Sequence, residues 1–272
     1  MQQGTHSKAR RGWHRGAART LLLGGLACFF GLAAPALAQE KPLAVLYFPR
    51  PPLYVARPDG TPGGLVMRVA VQVLERAGIP HYFQEMPAKR IVQSIKHGDY
   101  ACGVGWFRTP EREAFANFSR PLFQDQPLVA VVRKAAAPPE GRFPSLAALL
   151  TSARVMGVID GFSYGPAVDP LLAVRRGPRE VITGPNEHLL AMILDRRADY
   201  CLINPSQAGW LLAEEPRFHR SLAMVPIEDA GPGNYRYLMC SKAVPPEIME
   251  RLNRAVAQVT AGSRQGAAPA RP

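Results

Sequence analysis

From residue 43 onward the apolar positions alternate between two patterns. Residues 43–48 (LAVLYF) are a continuous apolar run of strand length, and they predict a buried strand. Over residues 65–77 the period changes. Val66, Val69, Ala70, Val73, Leu74 and Ala77 share one helical face, Arg68, Gln72, Glu75 and Arg76 share the other, and Gly78 supplies the stop. The same reasoning predicts helices over 88–97 (ended by Gly98), 164–174, 187–196, 206–213 and 246–259. It predicts strands over 100–105, 127–133, 154–159, 181–183, 200–203 and 223–227, with a further segment over 235–240. Arg57-Pro58-Asp59-Gly60, followed by Pro62, Gly63 and Gly64, is turn chemistry. Short strands separated by helices of this length imply α/β architecture with parallel sheets and right-handed crossovers. A Pro/Ala-rich stretch at 134–139 separates two such halves. They share an echo: Lys96-His97-Gly98-Asp99-Tyr100-Ala101-Cys102 and Arg196-Arg197-Ala198-Asp199-Tyr200-Cys201 each read as helix end, tight turn, Asp-Tyr, strand. Two lobes built on one plan would produce this.

The N-terminus stands apart. Lys8, Arg10, Arg11, Arg15 and Arg19 precede a short, glycine-interrupted apolar stretch, and Ala36-Leu37-Ala38 has the small-x-small form that a signal peptidase cleaves. Residues 1–38 are therefore expected to be an export signal cut before Gln39, placing the protein in the periplasm. Cys28 lies too early in the segment to be a lipidation site. The full chain carries +12 at pH 7, and the five basic residues of the signal leave +7 on the remainder. No Lys/Arg run survives there, so nucleic acid is not expected as a partner. The balance suits an anionic small molecule instead. Cys102, Cys201 and Cys240 show no CxxC or metal-like spacing; they read as small buried hydrophobes, with one bridged pair as the alternative in an oxidising compartment. His188 and His219 read as structural or surface residues, and neither metal nor cofactor is expected.

The most specific local signal is Thr109-Pro110-Glu111-Arg112-Glu113, preceded by Gly103-Val104-Gly105 and followed by Phe118-Ser119-Arg120-Pro121-Leu122-Phe123. With Tyr47-Phe48-Pro49 early, Gly64-Leu65 at a helix start, the 157–163 segment and the helix ending Arg197–Tyr200, the chain over roughly 42–258 resembles the family 3 extracellular solute-binding proteins. The resemblance implies a two-lobed periplasmic-binding-protein-like clamp (type II), with parallel-rich sheets flanked by helices and a two-strand hinge. It implies lobe I over 39–130, lobe II over 131–230 and a return to lobe I over 231–260; the tail over 261–272, which has no apolar period, is expected to be disordered. The implied function is capture of a small carboxylate-bearing ligand, amino-acid-like or organic acid, between the lobes. The implied partner is an inner-membrane ABC permease or a sensor, and the protein itself is expected to be a monomer and no enzyme.

The residues support the same picture. Thr109 can cap a short helix with Pro110 in its first turn, and the Arg112 guanidinium is a planar fork matched to a carboxylate. Ser163, in a Gly-rich turn after a strand, is expected to offer its hydroxyl to an anion. Arg90 is expected to add positive charge; Tyr47 and Trp106 are expected to line the cleft. Two departures from the family pattern bear on the ligand. Phe107 stands two before Thr109, where amino-acid binders usually carry a hydroxyl, and Asn204 stands five after Asp199, where they usually carry an acid for the ligand ammonium. An organic acid or uncommon amino-acid derivative is thus expected over a standard α-amino acid.

Other classes fit less well. Gly161-Phe162-Ser163-Tyr164-Gly165 has the spelling of a nucleophile elbow, with Asp195 or Asp199 and His219 later in the chain, but no HGGG-type oxyanion segment accompanies it. A dehydratase-like enzyme on the same clamp would need a paired acid and base; Asp160 and Glu187 are candidates without readable partners. An accessory protein with a vestigial cleft is the remaining alternative.

Overall fold

The structure is a computed structural model and describes residues 40–174 and 177–266. The expected export signal and residues 267–272 lie outside the described residues. In chain order, the first half comprises β1 (Leu43–Tyr47), β2 (Val55–Ala56), β3 (Pro62–Gly63), α1 (Leu65–Ala77), β4 (His81–Glu85), α2 (Ala88–His97), β5 (Ala101–Trp106), α3 (Pro110–Glu113), β6 (Ala116–Phe118) and β7 (Phe123–Gln124). The second half comprises β8 (Val129–Arg133), α4 (Leu146–Thr151), β9 (Met156–Ile159), α5 (Asp169–Val174), β10 (Arg179–Ile182), α6 (Asn186–Leu194), β11 (Tyr200–Ile203), α7 (Pro205–Glu214), α8 (Pro216–Ser221) and β12 (Leu222–Pro226). β13 (Tyr235–Ser241) and α9 (Pro246–Gly266) follow.

Two sheets result. One runs β4-β1-β5-β13-β6, with β7 also on β13; the other runs β10-β9-β11-β8-β12. Each holds three parallel strands, then a strand running against them: β13 against β5, and β8 against β11. The sheets are therefore mixed rather than wholly parallel. The chain passes from the first to the second between β7 and β8, and returns between β12 and β13. This is the two-lobed α/β clamp of periplasmic binding proteins. The repeated Asp-Tyr segments lead into β5 and β11, the third parallel strand of each lobe.

The cores follow from the sequence periods. Val66, Met67, Ala70, Val73 and Leu74 of α1 are buried, packing with α9 residues such as Ile248 and Leu252 on one face of the first sheet. Ile91 and Ile95 of α2 cover the other face. In the second lobe, Leu146, Leu149 and Leu150 of α4 cover one face, and α6, α7 and α8 cover the other. Gly64, at φ +103°, brings its backbone so close to Leu53 that a Cβ would sit 2.4 Å from the carbonyl oxygen of Leu53. This approach lets the Pro52 and Leu53 carbonyls accept the free N–H groups of Leu65 and Val66 at the start of α1.

Four expectations change. Cys102 and Cys240, opposite one another on β5 and β13, form a disulfide, so two of the three cysteines are not simple apolar filler; Cys201 is free and buried. β4, a mostly exposed sheet-edge strand, carries too little apolar pattern to have been expected. The helix expected from residue 164 begins at Asp169, because the Asp169 carboxylate holds Ser163 and Tyr164 in a loop. α9 runs through Ala261 to Gly266, into the stretch expected as a tail.

Candidate functional site

A cavity of about 560 Å³ lies between the lobes, within the range of about 300–1,000 Å³ usual for small-molecule sites. The first lobe supplies the loop after β1 (Phe48 to Pro51), the start of α2 and the end of β5 with Phe107 and Arg112. The second lobe supplies the loop after β9 (Ile159 to Ser163), the start of α6, and Gln207 and Leu211 of α7. Arg236 reaches in from β13. These are the strand ends facing the other lobe, where helix starts and turns leave polar groups available.

The three guanidinium groups of the cleft are each seated on an aromatic ring. The Arg112 guanidinium carbon is 4.9 Å from the Trp106 ring centroid, and Nη1 donates to the Phe107 carbonyl at 3.0 Å. The Thr109 hydroxyl accepts from the Arg112 backbone N–H at 3.4 Å and so caps α3. Burial lowers the Arg112 pKa, against the opposing pull of Glu111 and Asp169. Arg236 lies 4.7 Å from the Phe107 centroid, but its charge is answered by Asp125. Burial alone would lower the Arg236 pKa; Tyr54 and Asp125 more than reverse it. Arg50 packs 4.3 Å from the centroid of Phe162 on the opposite lobe. At the cavity wall, Lys89 of the first lobe and Asp160 of the second form an ion pair at 2.8 Å.

Two buried polar atoms here have no hydrogen-bond partner among the described residues: the Trp106 Nε1 donor and the Gln207 Oε1 acceptor. Both residues line the cavity. The atoms themselves are enclosed: Trp106 Nε1 packs against Gly103, where a Cβ would lie 2.5 Å from it, within the first-lobe core beside α2.

Of the expected site residues, Arg112, Trp106, Phe107 and Ser163 line the cavity. The Ser163 hydroxyl is already committed: it donates to Asp169 at 2.6 Å and accepts from the Gly165 N–H at 3.1 Å. Thr109, Asn204, Tyr47 and Arg90 lie outside the lining. Asn204 is buried and caps α7, its side-chain oxygen accepting from the Ser206 and Gln207 N–H groups. Tyr47 packs in the first-lobe core, and Arg90 is exposed on α2, while its neighbour Lys89 faces the cleft. Sequence reasoning missed Arg50, Phe162, Gln207 and Arg236. The missed residues come from a proline-flanked loop, a turn, a helix interior and a late strand, which no single motif joins. Among the described residues no group of three or more His, Cys, Asp or Glu could hold a metal, and no helix is long and apolar enough to cross a membrane.

Solved structures of similar shape include an ancestral arginine-binding protein bound to arginine (18% identity, 81% of this chain and 93% of that one, TM-score 0.64). They include the arginine-, lysine-, histidine-binding protein ArtJ from Geobacillus stearothermophilus (17% identity, 82% and 91%, TM-score 0.65). A third is a double mutant of the BvgS VFT2 domain from Bordetella pertussis (18% identity, 82% and 90%, TM-score 0.64). At these identities they speak to fold. A search among curated proteins returned no match. The model of the bacterial extracellular solute-binding proteins, family 3, matches residues 44–265, nearly the whole of the described chain, and the protein belongs to that family.

Proposed function

We propose that this protein captures a small carboxylate-bearing solute in the inter-lobe cleft and presents it to an inner-membrane ABC permease. The observation that carries the reading is Arg112. Its guanidinium faces the cavity with a neutral carbonyl and an indole face as its described partners, and no carboxylate lies within ion-pairing distance among the described residues. A half-buried guanidinium without an ion-pair partner favours an anion, and its planar fork fits a carboxylate. The two lobes already touch across the cleft through Arg50 and Phe162 and through Lys89 and Asp160. A ligand that contacts both lobes would favour this closed form over an open one.

The ligand is proposed to be an organic acid or an uncommon amino-acid derivative. Asn204, expected where an ammonium-binding acid would stand, is absorbed in capping α7. Asp160 is paired with Lys89, which leaves Glu187, at the start of α6, as the cavity-lining acid without an ion-pair partner among the described residues.

The test is a thermal-shift screen of the standard amino acids beside a panel of carboxylic acids, followed by titration calorimetry on the compounds that bind. Ligand at about 100 times its Kd adds about 2.7 kcal/mol to apparent stability. Arg112→Ala is expected to lose about 2–5 kcal/mol of binding. Undiminished affinity in that variant would remove Arg112 from the site. A shift with an ordinary amino acid and none with the acids would overturn the ligand class.

A further inference from the structure

The cleft holds a second cation that the reading of Arg112 does not use. Arg50 follows β1 in the segment Pro49-Arg50-Pro51-Pro52. Its backbone is fixed on both sides by Tyr54: the Arg50 N–H donates to the Tyr54 carbonyl at 2.9 Å, and the Tyr54 N–H donates back to the Arg50 carbonyl at 3.1 Å. Tyr54 is itself fixed, donating its hydroxyl to the Gly105 carbonyl at 3.2 Å and accepting from Arg236 Nη1 at 3.4 Å. The side chain, by contrast, has no ion pair and no hydrogen bond among the described residues. Its contact is the Phe162 ring. Arg236, nearby, adds like charge and has spent its own on Asp125. Burial first, and then Arg236, pull the Arg50 pKa down to about 9, against the smaller opposing pull of Tyr54, Asp125 and Tyr164.

Three of the charged residues lining the cavity are in ion pairs. Lys89 takes Asp160, and Arg236 takes Asp125 behind the wall. Arg50, Arg112 and Glu187 remain without ion-pair partners among the described residues. Two cations, one on each of two separate segments of the first lobe, face one cavity whose remaining wall is largely apolar: Phe48, Val92, Ile159 and Leu211.

We propose that Arg50 is a second anion-recognising group, and that the ligand therefore carries two acidic groups joined by a short apolar spacer. This rests on the reading of Arg112 as the carboxylate anchor. One acid pairs with Arg112 and the other with Arg50, while the Phe162 ring holds the Arg50 guanidinium flat. Glu187 is left for a hydroxyl or N–H on the spacer. A one-acid ligand would leave one guanidinium in the cleft without a counter-ion, so the second acid contributes affinity as well as specificity.

The experiment compares matched probes by titration calorimetry: glutarate against valerate, and isophthalate against benzoate. The protein with its native residues should bind a two-acid probe about 10- to 100-fold more tightly than its one-acid counterpart, the effect of one charge-assisted hydrogen-bonded pair. Arg50→Met should erase that ratio. Arg112→Met should weaken one-acid and two-acid probes alike. Absence of binding by either two-acid probe, or equal binding of both members of each pair, overturns the proposal. So does an unchanged ratio in Arg50→Met, or an equal loss for both members of each pair, which would make Arg50 a contact for closing the lobes. If Arg112→Met weakens the one-acid probes while Arg50→Met leaves the ratio intact, the anchor stands and the second pole falls. If Arg112→Met changes nothing, the anchor itself falls.

Discussion

Arg236 and Asp125 meet as a two-pronged ion pair: Nε donates to one carboxylate oxygen and Nη2 to the other, each at 2.7 Å. The side chains are 4% and 2% exposed. Asp125 stands where the chain leaves the first sheet and Arg236 where it returns, so the pair fastens the two crossings to each other. Nη1 of Arg236 extends the tie to the Gly105 carbonyl at 3.0 Å, at the end of β5. Gly233 completes it. A Cβ there would lie 1.7 Å from the Asp125 carbonyl oxygen, so the two backbones touch.

Removing one member of such a pair strands a buried charge. Arg236→Met or Asp125→Leu should each cost about 3–5 kcal/mol in equilibrium urea unfolding. The double variant should recover much of that loss, because two apolar side chains of similar size need no counter-ion. Costs near zero for the single variants, or strict additivity in the double, would show that the pair is not coupled as its geometry implies.

Lys89 and Asp160 join the lobes from opposite walls at 2.8 Å, with side chains 70% and 51% exposed. The Lys89 ammonium, first by its hydrogen bond and then by its charge, holds the Asp160 carboxyl below the usual carboxylate range. Exposed pairs are weak and screened by salt. Lys89→Ala should therefore speed ligand release by no more than a few-fold in stopped-flow measurements, and the difference should vanish in high salt. As pH falls through the lowered Asp160 pKa, the native protein should come to resemble the variant, because the protonated acid no longer attracts Lys89. A large loss of affinity insensitive to salt would mean that Lys89 contacts the ligand rather than the opposite lobe.

The legible part of this molecule was local. The period of α1 and its stop at Gly78, in the left-handed region at φ +61°, could be read because helix face and terminator lie within fourteen consecutive residues. Thr109 and Arg112 belong to one short motif, and the structure places Arg112 at the cleft with Thr109 capping its turn. Asn204 shows the limit of that reading. An Asn before Pro205 serves a helix cap as well as a ligand contact, and the cap takes it here. Tyr164 fits the start of a helical pattern, but Asp169 holds its backbone in a loop and the helix starts only at Asp169. Arg50 meets Phe162 and Arg236 meets Asp125 across long stretches of chain, and neither partner leaves a trace in the other's neighbourhood. The first pairing is set by how the two lobes meet and the second by how β7 and β13 pair where the chain leaves and re-enters the first sheet, and no local period encodes either.

The cysteines pose the same problem of distance and allow a direct chemical check. Cys102 and Cys240 are bridged across 138 residues, with both side chains fully buried in the first-lobe core. Cys201 is free, fully buried in the second lobe, and burial pushes its thiol up to about 12. Since the thiolate is the nucleophile, a thiol with a raised pKa stays protonated and inert at neutral pH, and burial keeps reagents out as well. Iodoacetamide at neutral pH should therefore label none of these three residues in the folded protein. Unfolding without reductant should expose Cys201 alone, and unfolding with reductant should expose all three, as read by peptide mass spectrometry. The bridge also joins the returning strand β13 to β5, so its loss frees a long loop in the unfolded chain. In the chain-entropy picture a loop of this size is worth about 5 kcal/mol, and about 2–5 kcal/mol is the usual cost of removing a native bridge. Cys102→Ala combined with Cys240→Ala should lower the unfolding free energy by that amount, while Cys201→Ala, which removes one buried sulfur, should cost less. Labelling of Cys102 or Cys240 before reduction would show that the bridge does not form.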